Sequence, residues 1–583
     1  MKACLTGSLA VLLCSGIHAQ QAPRLQVGTP LRATLAADNP LRYELDLPPG
    51  HFVAGRVDQD EVDATVTITG PAGGRIQRTS RVGRGGPESF AFATAAAGRY
   101  VIEVTSATAG KGGAVQVHLT RSEPVATTPE GKVDQAAAQL HKDTPGAVVG
   151  VIKAGKLAFV KAYGAADLTY GMPFTADTPT NIGSSSKQFT GFAISLLASR
   201  GKLALDDDVR KHIPELPDFG KTITVRHLLS HTTGYREFVN TLIIEGRQVV
   251  EGDYIAPDEA IKVIQRQTKL QNDPGAEFNY NNTAFSLATI VLERVTGQPF
   301  ADWMREEVFL PLGMTKTWVR ANPGQIIPGR SNGYIPGVGG FREVRDLHAA
   351  AGAGGIYTTP GDIAKWMGNL KTGTLGGPDV IRELTTSGVL NSGAPTNYGK
   401  GLFLDTNRGL KRWQHGGNDV AHSSTFIYYP DLDAGYVVFS NYQGVPGGIA
   451  GVVADAFFGE HMTAAPSATG ARGGAAPTAN ANAAAAVPRV TDTRSQADLS
   501  SFEGRFFSNE LETFYDLTVE SGRLVIRHRR FGPVALTRVN GDTFSGALPV
   551  SQVVFRRDAQ GTVTGFDAGN GRARGILFEK VKR

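Results

Sequence analysis

A serine placed three residues ahead of a lysine, at the mouth of an apolar helical run, is a candidate nucleophile with its own base. Gly183-Ser184-Ser185-Ser186-Lys187 opens such a run, which continues to Ser199. Residues three apart share one helical face, so Ser184 and Lys187 meet. A hydroxyl is a poor nucleophile until a base takes its proton. A lysine amine can do this when burial or nearby positive charge lowers its pKa. At a helix start, backbone N–H groups can also receive an oxyanion. The other Ser-x-x-Lys pair, Ser199 and Lys202, is broken by Gly201, a helix stop, so its two side chains do not share a face.

Two further stretches could complete such chemistry. Tyr280-Asn281-Asn282 falls in a loop just before a helical run starting near Thr283. A phenol there can relay protons and the Asn282 amide can hold a substrate carbonyl. The same residues would equally make a turn with a buried tyrosine and a helix cap. A strand carrying one polar side chain and small neighbours should line the other side of the cleft. Lys371-Thr372-Gly373 and His415-Gly416-Gly417 compete for that part. The first directly follows the helical run Pro360 to Leu370 and reads as a helix end with its cation and glycine. The second precedes two late strands and is the better candidate. His227 and His231 lack the neighbouring Glu and third ligand of a zinc-protease helix, so they read as structural; neither a metal nor a cofactor is expected.

These residues need a frame, and hydrophobic periodicity outlines one. Residues 24–122 alternate apolar and polar, as in Tyr43-Glu44-Leu45-Asp46-Leu47, and predict a β-sandwich. Residues 130–460 predict an α+β domain. Strands at Val148 to Ile152 and Leu157 to Tyr163 come first, helices follow at 187–199, 257–267, 283–295 and 360–370, and strands return at Thr425 to Tyr429 and Gly435 to Asn441. First and last strands can pair in one antiparallel sheet flanked by helices. Residues 463–497, rich in Ala, Pro, Gly and Thr, predict a linker. Residues 498–583 return to alternation and predict a small β-barrel.

The ordered set Ser184-Ser185-Ser186-Lys187, Tyr280-Asn281-Asn282 and His415-Gly416-Gly417 resembles the serine β-lactamase and penicillin-binding-protein superfamily. This takes in class C β-lactamases, D,D-peptidases, D-aminopeptidases and related carboxylesterases. His227 to Gly234, Pro311 to Met314 and Gly354 to Asp362 resemble stretches common in it. The resemblance implies a β-lactamase/transpeptidase-like central domain. It makes Ser184 the nucleophile, Lys187 its base or proton shuttle, and Tyr280 the donor to the leaving group. Asn282, His415, Gly416, Gly417 and Asn418 would bind substrate, with the oxyanion on the N–H groups of Ser184 and Asn418. Classical β-lactamases keep a lysine where His415 stands. A histidine there should be partly charged near neutrality, so binding of acidic substrates should strengthen as pH falls. The implied function is a serine hydrolase of esters or small peptides, D-residues included. A β-lactamase is the alternative, and a non-catalytic sensor or adhesin a third.

Composition narrows the partners. The 583 residues carry a net charge of +5 with acids and bases interspersed. The basic run Arg527-His528-Arg529-Arg530 reads as a solvated strand face, so no nucleic-acid partner is expected. A small-molecule ester, peptide or β-lactam is the expected partner. Lys2, the apolar run Leu5 to Ile17 and Ala19 read as a signal peptide over residues 1–19, which predicts export to the periplasm or medium. Both cysteines, Cys4 and Cys14, fall within it. A mature chain would then hold neither a transmembrane anchor nor a thiol.

Overall fold

The computed structural model describes residues 24–463 and 496–582, apart from 60, 81–84 and 338. The expected signal peptide and nearly all of the expected linker lie outside the described residues. The protein is multidomain: an N-terminal pair of β-sheets, a central α+β domain and a closed C-terminal β-barrel.

The N-terminal unit holds two four-stranded antiparallel sheets. One runs in the order Leu31–Leu35, Gly113–Pro124, His51–Gln59, Pro87–Ala93; the other Leu41–Leu47, Gly98–Ser106, Ala64–Thr69, Arg75–Thr79. The period of two that marks these strands in the sequence turns Val53, Val57, Phe90, Val66, Ile102 and Val104 into one apolar cluster.

The central domain is built on a six-stranded antiparallel sheet. Its strands are β1 (Ala147–Lys153), β2 (Lys156–Tyr163), β3 (Phe403–Asn407), β4 (Leu410–Asp419), β5 (His422–Tyr429) and β6 (Ala434–Ser440). They lie in the order β2-β1-β6-β5-β4-β3, so first and last strands do pair, with Val149 opposite Val438. The helices that matter for the site are α1 (Pro129–Ala136), α2 (Lys187–Ser199), α3 (Phe238–Glu245), α4 (Asn282–Thr296), α5 (Pro360–Thr372) and α6 (Val445–Phe458). The central strands are covered on both faces, so they read as near-continuous apolar runs. Val149, Val151, Tyr436 and Val438 meet Val133 of α1 and Val453 and Phe458 of α6. Val148, Ile152, Val437 and Phe439 join the larger core of Phe189, Phe192, Trp366 and Met367 from α2 and α5. Helix α2 is thus buried on every side, which fixes the start of that helix against the sheet.

Eight strands between Gly504 and Lys580 close the barrel. Its last two are β7 (Val563–Asn570) and β8 (Ala573–Lys580). Phe506, Tyr515, Phe566, Ile576 and Phe578 fill it, and Ile244 of α3 belongs to the same cluster. The barrel is docked on the central domain by polar contacts as well. Arg236 and Glu510 form an ion pair at 2.9 Å with side chains 1% and 5% exposed. Arg530 reaches Asp253 at 2.8 Å, and the Tyr515 hydroxyl donates to the Ile244 carbonyl at 2.6 Å. The basic run is therefore only partly the solvated face expected, since its end is a docking contact. Among the described residues no helix is long and apolar enough to cross a membrane.

Candidate active site

Ser184 sits in a one-turn 3-10 segment, Gly183–Ser186, that runs straight into α2. The turn is tied to the sheet by its neighbours. The Ser185 hydroxyl donates to the His415 carbonyl at 3.1 Å and shares a 2.9 Å hydrogen bond with Ser424, which in turn donates to the Ile182 carbonyl at 2.7 Å. This packing explains Gly417: a Cβ there would fall 1.9 Å from the Ile182 carbonyl oxygen. Gly416 faces open space by comparison, its nearest neighbour being 3.8 Å away. Gly183 has φ +50°, and a Cβ on it would lie 2.9 Å from the Asn418 nitrogen. The main chain bearing the Ser184 amide therefore runs close beside the Asn418 amide, the pair that the resemblance assigns to an oxyanion.

Lys187 is fully buried, and its Nζ is within hydrogen-bond distance of three oxygens. These are Ser184 Oγ at 3.1 Å, Asn282 Oδ1 at 2.8 Å and the Ala353 carbonyl at 2.7 Å. Burial, reinforced by the positive charge of Arg572, holds its pKa well below the usual lysine range; Glu237 and Asp419 pull the other way. A lysine so placed can spend part of its time as a neutral amine and accept the Ser184 proton. Its Nζ also lies 4.8 Å from the centre of the Tyr280 ring.

The Tyr280 ring is held by a cage of aromatic side chains: His231 at 4.4 Å, Phe403 stacked at 6.3 Å and His415 at 5.9 Å between ring centres. Its hydroxyl is buried, faces Ser184 and, among the described residues, has no other hydrogen-bond partner. Burial raises its pKa, so it is a phenol rather than a phenolate. The loop before it hangs on His231, whose ring Nδ1 accepts from the Asn281 N–H at 2.9 Å and whose carbonyl accepts from the Asn279 N–H at 2.8 Å. His231 thus supports the tyrosine directly, while His227 caps the helix Val225–Leu229 by accepting from the Thr224 N–H.

His415-Gly416-Gly417 lies within β4, beside the Ser184 turn and ahead of the two late strands β5 and β6. Two expectations need correcting. Asn282 is the first residue of α4 rather than part of the loop before it, and that fixed start is what aims its amide at Lys187. And His415 does not gain charge near neutrality. It is buried, desolvation and Lys187 hold its pKa down to about 3, and both ring nitrogens are engaged. Nδ1 lies 2.6 Å from the Gly416 carbonyl, so it is the donor there, and Nε2 accepts from the Tyr398 hydroxyl at 3.2 Å. Lys371, by contrast, ends α5 with Gly373 in the left-handed region at φ +63°, as the helix-end reading has it.

The structure adds residues that sequence reasoning missed. Arg572, at the tip of the β7–β8 hairpin of the barrel, places its guanidinium carbon 4.6 Å from the centre of the Tyr280 ring. Glu237, fully buried at the start of α3, accepts from the Asn240 N–H with one oxygen, and the other has no partner among the described residues. The Ala353 carbonyl and Tyr398 complete the set. Among the described residues no cluster of His, Cys, Asp and Glu is arranged to hold a metal.

Comparison with known proteins identifies the family of the central domain. The family model described as Beta-lactamase matches residues 133–454. A D-aminopeptidase of Gluconobacter oxydans is 30% identical over 276 residues, 47% of this chain and 51% of that protein. A D-aminopeptidase of Cereibacter sphaeroides is 26% identical over 307 residues, 51% of this chain and 57% of that one. The chain therefore matches a little over half the length of each of these relatives. The octameric penicillin-binding protein homologue of Pyrococcus abyssi has the same fold, with a TM-score of 0.51 at 21% identity, covering 77% of this chain and 99% of that one.

Proposed function

Since the chain belongs to the beta-lactamase family, we propose that it is a serine hydrolase acting through an acyl-enzyme on Ser184, with esters and amides of amino acids or short peptides, D-residues included, as substrates. The observation that carries this reading is the buried Lys187 amine 3.1 Å from Ser184 Oγ, under a phenol with no other partner. Neutral Lys187 takes the Ser184 proton as Oγ attacks the substrate carbonyl carbon. The oxyanion is received by the N–H groups of Ser184 and Asn418. As the carbonyl re-forms, the bond to the leaving nitrogen or oxygen breaks, Tyr280 gives that atom its proton, and the Lys187 ammonium replaces the proton on Tyr280. Water then attacks the carbonyl of the ester on Ser184 and loses a proton to the same pair; the bond to Oγ breaks, the pair returns that proton to Oγ, and the acid is released.

The names of the relatives support amide substrates. The β-lactamase alternative is weakened by His415, because a neutral ring with both nitrogens engaged cannot do the work of the lysine those enzymes keep there.

The test is labelling by a fluorophosphonate, together with turnover of p-nitrophenyl esters, D- and L-amino acid p-nitroanilides and a chromogenic cephalosporin. Labelling should map to Ser184, and Ser184→Ala should abolish both labelling and turnover. Undiminished labelling of Ser184→Ala overturns the assignment, and faster turnover of the cephalosporin than of every ester and anilide overturns the substrate class.

A further inference from the structure

We propose that Arg572, delivered by the C-terminal barrel, is the cation that receives a substrate carboxylate in this site, and that the carboxylate belongs to the leaving group. The inference rests on the serine-hydrolase reading and goes beyond it by naming the end of the substrate that is recognised.

The other cations of the site have nothing left to offer a carboxylate. His415, at the position of the β-lactamase lysine, is neutral. Its one ring hydrogen goes to the Gly416 carbonyl, and its other nitrogen is an acceptor facing Tyr398. It has nothing to donate to an anion. Lys187 directs its Nζ at Ser184, Asn282 and the Ala353 carbonyl, which exhausts its hydrogens. Arg572 is different. Among the described residues it has no carboxylate partner, and its Nε is buried without a hydrogen bond. An arginine left unpaired on the ring of Tyr280, with the rest of its side chain half-buried, is poised for a planar anion such as a carboxylate.

Its position is fixed rather than incidental. Gly571, with φ +56°, and Arg572 form the two-residue turn between Asn570 and Ala573, which pair across the hairpin. Asn240 donates to the Asn570 carbonyl at 2.8 Å. Arg236 donates to the carbonyls of Arg574 at 3.0 Å and Gly575 at 2.8 Å, and Arg574 pairs with Glu277 at 2.8 Å. The catalytic domain therefore grips the hairpin on both sides of the tip. The guanidinium sits on the ring of Tyr280, the residue that protonates the leaving group, so the carboxylate within its reach is carried by the departing piece. The class that fits is an acylated amino acid or peptide with a free C-terminal carboxylate.

The experiment compares two thioester substrates with one acyl group, an N-acyl-D-alanyl thioglycolate with a free carboxylate and its methyl ester. A further pair, p-nitrophenyl hemisuccinate against p-nitrophenyl butyrate, puts the carboxylate on the acyl side instead. Using full-length protein, Arg572→Gln should lower kcat/KM for the free thioglycolate about 10- to 100-fold more than for its methyl ester, the range for losing a hydrogen bond to a charged group. Arg572→Lys should recover part of the gap. Changes in the ionisation of Lys187 affect both thioesters alike and cancel in their ratio. In the unaltered enzyme that ratio should stay flat across neutral pH, because a guanidinium does not titrate there. An equal loss on both thioesters overturns the inference, as does a ratio that climbs when pH falls through the histidine range. A gap that opens only between hemisuccinate and butyrate overturns the assignment to the leaving group. Methyl-ester turnover that survives Ser184→Ala would instead sink the underlying hydrolase reading, so the two failures are distinguishable.

Discussion

Two cations approach the ring of Tyr280, Lys187 at 4.8 Å and Arg572 at 4.6 Å, and they arrive by opposite routes. Lys187 lies three residues from its partner Ser184 on a continuous backbone, in a helix whose burial owes everything to its own apolar sequence. Arg572 lies nearly four hundred residues further on, in a different domain, and reaches the same ring only because the barrel docks. Local spacing can secure a catalytic hydrogen bond to a few tenths of an ångström. A group whose task is to meet the far end of a substrate can instead be brought in by a separate module. On the function proposed here, the chemistry is built into the central fold, and the selectivity is added from outside it.

The largest effect that could break this comparison is at Lys187. Lys187→Ala should reduce kcat at least about 10²-fold on acidic and neutral substrates alike, the scale for losing a positioned base. Steady-state rates on both thioesters read this directly. A loss confined to one of them would mean that Lys187 and Arg572 do not divide the work as described.

Next comes the docking. Removing one partner of a buried ion pair destabilises the fold, and Glu510, whose carboxyl burial already lifts to about 7, would then take up a proton. Arg236→Ala strips Glu510 of its partner and removes the donors to the Arg574 and Gly575 carbonyls. It should lower Tm in a thermal melt and move the acidic-to-neutral ratio of kcat/KM towards that of Arg572→Gln, with Lys187 chemistry retained on the methyl ester. A melt that drops while the ratio holds would show that the hairpin keeps its place without this anchor.

What was legible in the sequence follows the same division. The helix Lys187–Ser199 stands where its apolar run predicts it, because length and periodicity alone define a buried helix with a glycine stop. The pairing of Ala147–Lys153 with Ala434–Ser440 was legible too, since first and last apolar strands of an α+β domain have few other places to go. The literal Lys371-Thr372-Gly373 could be set aside because helix-ending chemistry accounts for all three residues. The state of His415 was not legible. Its neutrality comes from burial beside Lys187 and from the hydroxyl of Tyr398, and no spacing in the chain announces that contact. Arg572 was less legible still: Gly571-Arg572 between two alternating runs looks like any solvated hairpin tip. Its role depends on contacts between domains, made by Arg236, Asn240 and Glu277, which look in the sequence like ordinary polar surface residues.

The smallest effect is also the most direct measure of how the two regions meet electrostatically. Arg572 and Glu237 act on Lys187 with opposite signs, the guanidinium lowering its pKa and the carboxylate raising it. Asp419 acts with Glu237, while the other ionisable side chains around the tyrosine, His231 and His415, are held neutral by burial. If neutral Lys187 is the base, kcat/KM for an uncharged ester rises with pH as the lysine loses its proton, and the midpoint of that acid limb follows its pKa. Glu237→Gln removes a negative neighbour, so the ammonium is less favoured, the pKa falls and the limb moves to lower pH. Arg572→Gln removes a positive neighbour, so the ammonium is more favoured and the limb moves to higher pH. The apparent midpoint belongs to the coupled lysine and tyrosine rather than to either alone, but the sign of each displacement is unaffected. Full pH profiles on the methyl ester should place the limb of Glu237→Gln on the acid side of the parent and that of Arg572→Gln on the basic side. Displacements of the same sign would mean that the substitutions act through packing, and that the barrel's charge does not reach the lysine.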